Sequence, residues 1–141
     1  MKIYRAYKFR LYPNEEQKLL IHKTFGCSRF VYNYYLNYQK ENGIQKSFYL
    51  CKDLKELEKG REYLKEVDSC ALRCSIFDLE DAYNNFFAKR SGYPNFKSKF
   101  ARQSYRTSLI RSTYKDKEYS NIKVDLLSRN IKLPKLGSAT G

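Results

Sequence analysis

At both ends of the chain hydrophobic and polar positions alternate in steps of two, and between them the period becomes helical. "KIYRAYKFRLY" sets Ile3, Tyr7, Phe9 and Leu11 against Lys2, Lys8 and Arg10, the pattern of a half-buried strand. Arg5 interrupts the apolar side, so the strand either begins exposed or offers that guanidinium to a ligand. Near the other end "SYRTSLI", "NIKVDLL" and "NIKLPKL" repeat the alternation through Ile122, Val124, Leu126, Ile131 and Leu133, with Pro134 marking an edge or strand end. Four helices are expected between these flanks. Asn14, after Pro13, can cap the first in a box with Gln17, and Phe25-Gly26 reads as its stop. The second carries Cys27, Phe30, Val31, Tyr34, Tyr35 and Tyr38 on one broad apolar face before Gly43. A third covers Tyr49 to Lys59, ending at Gly60, and a fourth runs from about Asp68 to Lys89 with a seam of Leu72, Ile76, Leu79, Tyr83 and Phe86.

A lone strand cannot satisfy its own backbone, so the first strand should pair with the late ones. The expected class is therefore α+β: residues 1–12 and 93–141 make a small β-domain, and residues 13–92 are a helical insertion after the first strand.

Charge sharpens that division. Lys and Arg number 28 against 15 Asp and Glu, leaving a net +13 on 141 residues, the balance of a polyanion binder. Residues 41–81 hold 10 of the acids and only 7 of the bases, so the excess lies outside them. Hydrophobic content of 42% permits a real core. No apolar run approaches the roughly 18 residues of a membrane span, and the amino terminus lacks the centre of a signal peptide, so an intracellular protein with no membrane partner is expected.

Cys27, Cys51, Cys70 and Cys74 form no C-x2-C pair and His22 is the one histidine, so buried reduced thiols are expected, with neither metal nor cofactor. Acids in "LKELEKGREYLKE" read as intrahelical or solvated charges; Asp78, Glu80 and Asp81 are more suggestive of a metal centre, but an acidic stripe opposite the apolar seam needs no metal.

"GYPNFKSKFARQSYRT", residues 92–107, interleaves Lys97, Lys99, Arg102 and Arg106 with Tyr93, Phe96, Phe100 and Tyr105. Cations neutralise phosphates and aromatic rings stack on unpaired bases. A loop packed on the neighbouring core is the plainer alternative. Ser28, Arg29 and Asn33 lie off the apolar face of their helix and are further candidates for nucleic-acid contact.

Three blocks, "YKFRLYPNEEQKLLIHKTFGCSRFVYNYYL", "LEDAYNNFFAKRSGYPNFKSKFARQSYRT" and "IKLPKLG", resemble in order and spacing the amino-terminal part of the insertion-sequence OrfB proteins, also called TnpB. These are transposon-encoded RNA-guided DNA endonucleases related to type V CRISPR effectors. The resemblance implies that the strands form an oligonucleotide-binding barrel, or wedge domain, and the helices a recognition lobe with a helix-turn-helix-like start. It further implies guide RNA and target DNA as partners, and a RuvC-like nuclease domain with a zinc ribbon that is missing here, so no catalytic residue is expected. Carried onto this chain, DNA contacts fall on Phe48 and Tyr49, on Ser69 and Arg73, and on Tyr105, Arg106 and Thr107. RNA contacts are expected from Arg5, Lys8, Arg10, Ser28, Arg29, Asn33, Lys97, Lys99 and Arg102. The implied location is the bacterial cytoplasm or nucleoid. "SATG" departs from the pattern and suggests a frameshifted or engineered end. The alternatives are a naturally short DNA-binding repressor or regulator of transposition, and one half of a split nuclease whose other half is a separate chain.

Overall fold

A computed structural model describes residues 8, 10–99, 106–107, 111–114, 117–120, 122–135 and 137–140. Much of the strand expected over residues 2–12 therefore lies outside the described residues, as do Arg5, Arg102 and Tyr105. The chain divides into two compact units, Met1–Leu19 with Leu109–Gly141, and Leu20–Ser108.

Helix α1 (Glu15–Asn42) begins with the expected box: the Gln17 amide donates to Asn14 Oδ1 at 2.8 Å, and the Asn14 amide donates to Gln17 Oε1 at 3.0 Å. Each bond satisfies an amide that the first turn would otherwise leave open. The expected stop at Phe25-Gly26 does not occur; the two helices are one, 28 residues long. Glycine inside a helix costs only about 1 kcal/mol relative to alanine. Packing on either side of it outweighs that cost. A short 3-10 turn, Glu62–Glu66, braces α1 through the Lys23–Glu66 ion pair at 3.3 Å, the Cys27 thiol donating to the Tyr63 carbonyl at 3.7 Å, and an edge-on Phe30–Tyr63 contact. The helix ends where Gly43, at φ +87°, donates its amide to the Gln39 carbonyl.

Helix α2 (Ser47–Lys59) and α3 (Ser69–Phe87) match the expected third and fourth helices to within a turn. Asp68 caps α3 by accepting the Cys70 amide at 3.0 Å. At the other end Lys89 takes φ +59°, and the Lys89 and Arg90 amides close onto the Phe86 and Asn85 carbonyls, the double-bonded stop usually built on glycine. The core of this unit joins Val31, Tyr35 and Leu36 of α1, Leu50, Leu54 and Leu57 of α2, Leu64 and Val67, and the α3 seam Leu72, Ile76, Leu79 and Tyr83. Tyr32 and Leu36 widen the buried face of α1 beyond the expected stripe, while Phe30, Tyr34 and Tyr38 stay half-buried at its rim. All four cysteines are free thiols, three of them buried, and burial raises the pKa of Cys27 and Cys51.

In the other unit β1 (Arg111–Tyr114) pairs antiparallel with β2 (Lys117–Ser120), Arg111 opposite Ser120. A second sheet has the order β3 (Lys123–Asp125), β4 (Asn130–Leu133), β5 (Gly137–Thr140), all antiparallel. Val124 faces Ile131, and Leu133 faces Gly137. The tail "SATG", read as unpatterned, thus supplies most of a strand. The architecture is mixed α and β and mostly helical. Among the described residues the strands form two open sheets and close no barrel, because no pairing links β2 to β3 or β5 to β1.

Candidate nucleic-acid interface

Several of the expected DNA contacts converge on the first half of α3. The Ser47 amide donates to Glu80 at 2.7 Å, and one turn later Cys51 lies in the field of Arg73 and Cys74, so α2 and α3 run antiparallel. Arg73 is exposed, and its Nη2 donates to the Cys70 thiol at 3.0 Å, an i,i+3 contact that fixes the guanidinium at the helix surface. Neither Asp68 nor Glu66 holds it as an ion pair. Ser69, one turn earlier, is exposed too. Segment 106–107 runs beside the same helix: Arg106 Nη1 pairs with Asp78 at 2.6 Å, and the Thr107 hydroxyl donates to Asp68. Desolvation works against the Arg106 charge, but its bond to Cys74 and the charge of Asp78 hold its pKa above the ordinary value.

On the neighbouring helix, the first turn of α2 presents Phe48 and Tyr49, 62% and 58% exposed, with their rings edge to face. Lys52 Nζ stands 4.4 Å above the Phe48 ring. That i,i+4 spacing was legible in the sequence, yet Lys52 was not singled out. Exposed aromatic faces beside a cation are the surface on which a base can stack over a neutralised phosphate.

A second grouping lies where α1 meets the loop after α3. The Asn33 side chain donates from Nδ2 to the Lys97 carbonyl at 3.0 Å and accepts the Lys97 amide on Oδ1 at 2.7 Å. Lys97 Nζ sits 4.5 Å over the Tyr32 ring, and Lys40 Nζ lies 4.6 Å from the Phe96 ring and 5.5 Å from that of Tyr93. Tyr93 also packs edge-on against Tyr83 and Phe86, and its hydroxyl shares a hydrogen bond with that of Tyr83 at 3.2 Å. The loop is thus docked on its own unit, Pro94 buried beneath it, while Lys97 and Lys99 stay exposed. Asn33, expected among the RNA contacts, has both ends of its amide engaged by backbone. Lys40 was missed, since only the fold brings it to rings more than 50 residues away.

Ser28 and Arg29 are half-buried on α1, one turn before Tyr32 and Asn33 of the second grouping. Lys8 and Arg10 are exposed in the other unit, Arg10 lying 6.0 Å from the Tyr12 ring. Among the described residues no three His, Cys, Asp or Glu side chains are placed to hold a metal, and no helix is long and apolar enough to cross a membrane.

The model of the helix-turn-helix domain of OrfB proteins matches residues 1–43. Two similar proteins bear the names "Putative RNA-guided DNA endonuclease", from Streptomyces pristinaespiralis, and "Putative RNA-guided DNA endonuclease InsQ", from Escherichia coli (strain K12). The first is 37% identical over 107 residues, 70% of this chain and 26% of that protein. InsQ is 33% identical over 144 residues, spanning 97% of this chain and 33% of InsQ. The chain belongs to the OrfB (TnpB) family. It corresponds to the amino-terminal part of that family, spanning about a third or less of the length of these two relatives. The virulence protein VsdF of Salmonella dublin is 33% identical over 111 residues, 67% of this chain but 93% of VsdF. Within the OrfB helix-turn-helix match, residues 15–42 form the single helix described above.

Proposed function

We propose that this chain is the nucleic-acid-binding amino-terminal portion of a TnpB-type RNA-guided DNA endonuclease. It holds a guide RNA, its heteroduplex with target DNA, and a short transposon-adjacent motif, and carries no cleavage chemistry of its own. The observation that carries the reading is that Phe48, Tyr49 and Lys52 stand exposed on the first turns of α2, and Ser69 and Arg73 on the first turns of α3, in a chain of net charge +13 that aligns with InsQ over 97% of its length. In this reading Arg73 meets a guanine edge, a bidentate contact worth about 1–3 kcal/mol of discrimination, while Phe48 and Tyr49 stack. The loop at 92–99 follows the RNA backbone through Lys97 and Lys99, with Arg5, Lys8, Arg10, Ser28, Arg29 and Arg102 as further phosphate contacts. The division into residues 1–12 with 93–141 as a barrel-like wedge, and 13–92 as a recognition lobe, belongs to this proposal.

Fluorescence anisotropy with labelled duplex, with and without a transposon-end RNA, across a salt series tests it. Guide-dependent binding whose affinity falls log-linearly with salt is expected, and Arg73→Ala should flatten the preference among candidate motifs. Metal-dependent nicking of DNA by the purified chain would contradict the assignment of no cleavage.

One observation favours a second reading. The match to VsdF spans 93% of that protein, so a relative of nearly this extent exists as a whole protein. A stand-alone regulator would bind a specific duplex without RNA, and the same titration separates the two.

A further inference from the structure

The β3–β4 hairpin carries a feature that neither its own sheet nor the contacts above explain. Its four-residue tip exposes Leu126 at 81% and Leu127 at 99%, beside Val124 at 50%. The tip is nonetheless well built. Asp125 Oδ1 accepts the Leu127 and Ser128 amides at 3.1 and 3.3 Å, Asn130 Nδ2 donates to the Ser128 hydroxyl at 3.3 Å, and Arg129 completes the reversal at φ +56°. Side-chain caps of this kind fix a turn's shape, so the leucines are held outward. Directly behind them Lys123 stands opposite Lys132 in the ladder, both exposed, with exposed Arg129 at the tip. Like charges facing each other across a strand pair destabilise it. Among the described residues neither lysine has a carboxylate within ion-pair distance.

We infer that this hairpin is a duplex-end reader: Lys123, Lys132 and Arg129 seat the phosphates of a nucleic-acid duplex while Leu126 and Leu127 press against its terminal or forked base pair. A polyanion relieves the opposed lysines. An unstacked base face is the apolar surface that two rigidly presented leucines match, as apolar side chains do when they wedge into base steps. The charge pattern selects nucleic acid over a protein groove, since the cations flank the apolar tip on both strands. The inference rests on the nucleic-acid-binding reading above, but assigns to this hairpin a contact that the reading does not contain.

The test uses the whole chain and forked DNA carrying 2-aminopurine at the first paired position of the fork. Binding should raise its fluorescence as the base unstacks. Leu126→Ser with Leu127→Ser should abolish that rise while leaving affinity for the fork within about two-fold, because the phosphate contacts remain. Lys123→Gln with Lys132→Gln should weaken binding and make the salt slope shallower by about 2, one per lost phosphate contact. Both pairs are exposed, and unchanged thermal melting confirms that the variants fold. A fluorescence rise that survives the double serine variant overturns the inference while leaving the nucleic-acid reading intact. Failure of the unmodified chain to bind any DNA or RNA overturns both. Binding to phosphatidylserine vesicles that needs the leucines, in place of the fork signal, identifies a membrane-contacting tip and likewise overturns it.

Discussion

Asn33 is either a nucleic-acid contact or a clamp for the loop that carries such contacts, and replacing it with alanine separates the two. The substitution removes the 3.0 Å bond to the Lys97 carbonyl and the 2.7 Å bond from the Lys97 amide. Each hydrogen bond contributes about 0.5–1.5 kcal/mol net. Asn33 is half-buried and Lys97 exposed, so water can reach the freed backbone groups and no full desolvation penalty is added. The pair together is therefore worth about 1–3 kcal/mol, and for bonds this open to water the lower half of that range applies. At roughly 1.4 kcal/mol per factor of ten, loop opening becomes on the order of tenfold more frequent. Lys97 stacking on Tyr32 persists only while the loop is closed. Amide exchange followed by NMR reads this directly: protection at Lys97 should fall by about tenfold, while amides in the middle of α3 keep theirs. Asn33→Asp keeps the acceptor for the Lys97 amide but loses the donor, so it should still expose the loop. Unchanged Lys97 exchange in Asn33→Ala, with a fall in RNA affinity, would refute the clamp and make the amide itself the contact.

Leu79 is wholly buried in the seam of α3, so Leu79→Ala should cost about 2–5 kcal/mol in a urea melt, and a cost under about 1 kcal/mol would remove that seam from the core. Asp125 has its pKa lowered from 3.8, first by the Ser128 hydroxyl and then by the backbone amides of the turn. A lowered folded pKa gives stability that is present above 3.8 and lost as pH falls through the folded value; a carboxyl NMR titration should show this, and Ser128→Ala should move the midpoint back up. Burial raises Tyr32, Tyr35 and Tyr83 above the ordinary 10.0, with the Asp53 bond adding to the shift of Tyr35 and the Tyr93 bond to that of Tyr83. Their contribution is complete below about pH 10 and lost as pH climbs through the raised values, so these three should ionise last, together with alkaline loss of helical circular dichroism. Their ionising early in a folded chain would contradict the burial.

The sequence by itself determined what depends on near neighbours. The Asn14–Gln17 box, the α3 seam and the ion pairs Lys59–Glu56 and Lys65–Glu62 all join residues no more than a few turns apart, so periodicity and spacing expose them. The resemblance put Ser69 and Arg73 at a helix start, where α3 does begin, but Phe48 and Tyr49 in the loop before a helix, whereas α2 takes both into its first turn. What only the tertiary structure decided joins residues far apart in the chain. Gly26 stays helical while the turn at 62–66 holds Lys23, Cys27 and Phe30 on either side of it, and local propensity carries no trace of that brace. Asn33 meets Lys97 across 64 residues, and an asparagine off an apolar face gives no sign whether backbone or ligand will take its amide. "SATG" has no alternation of its own, yet it pairs because β4 offers an open edge whose backbone bonds any side chain permits. Leu126 read as the end of an apolar stripe; the Asp125 turn put it in solvent, because a turn reverses the chain before the alternation can bury it.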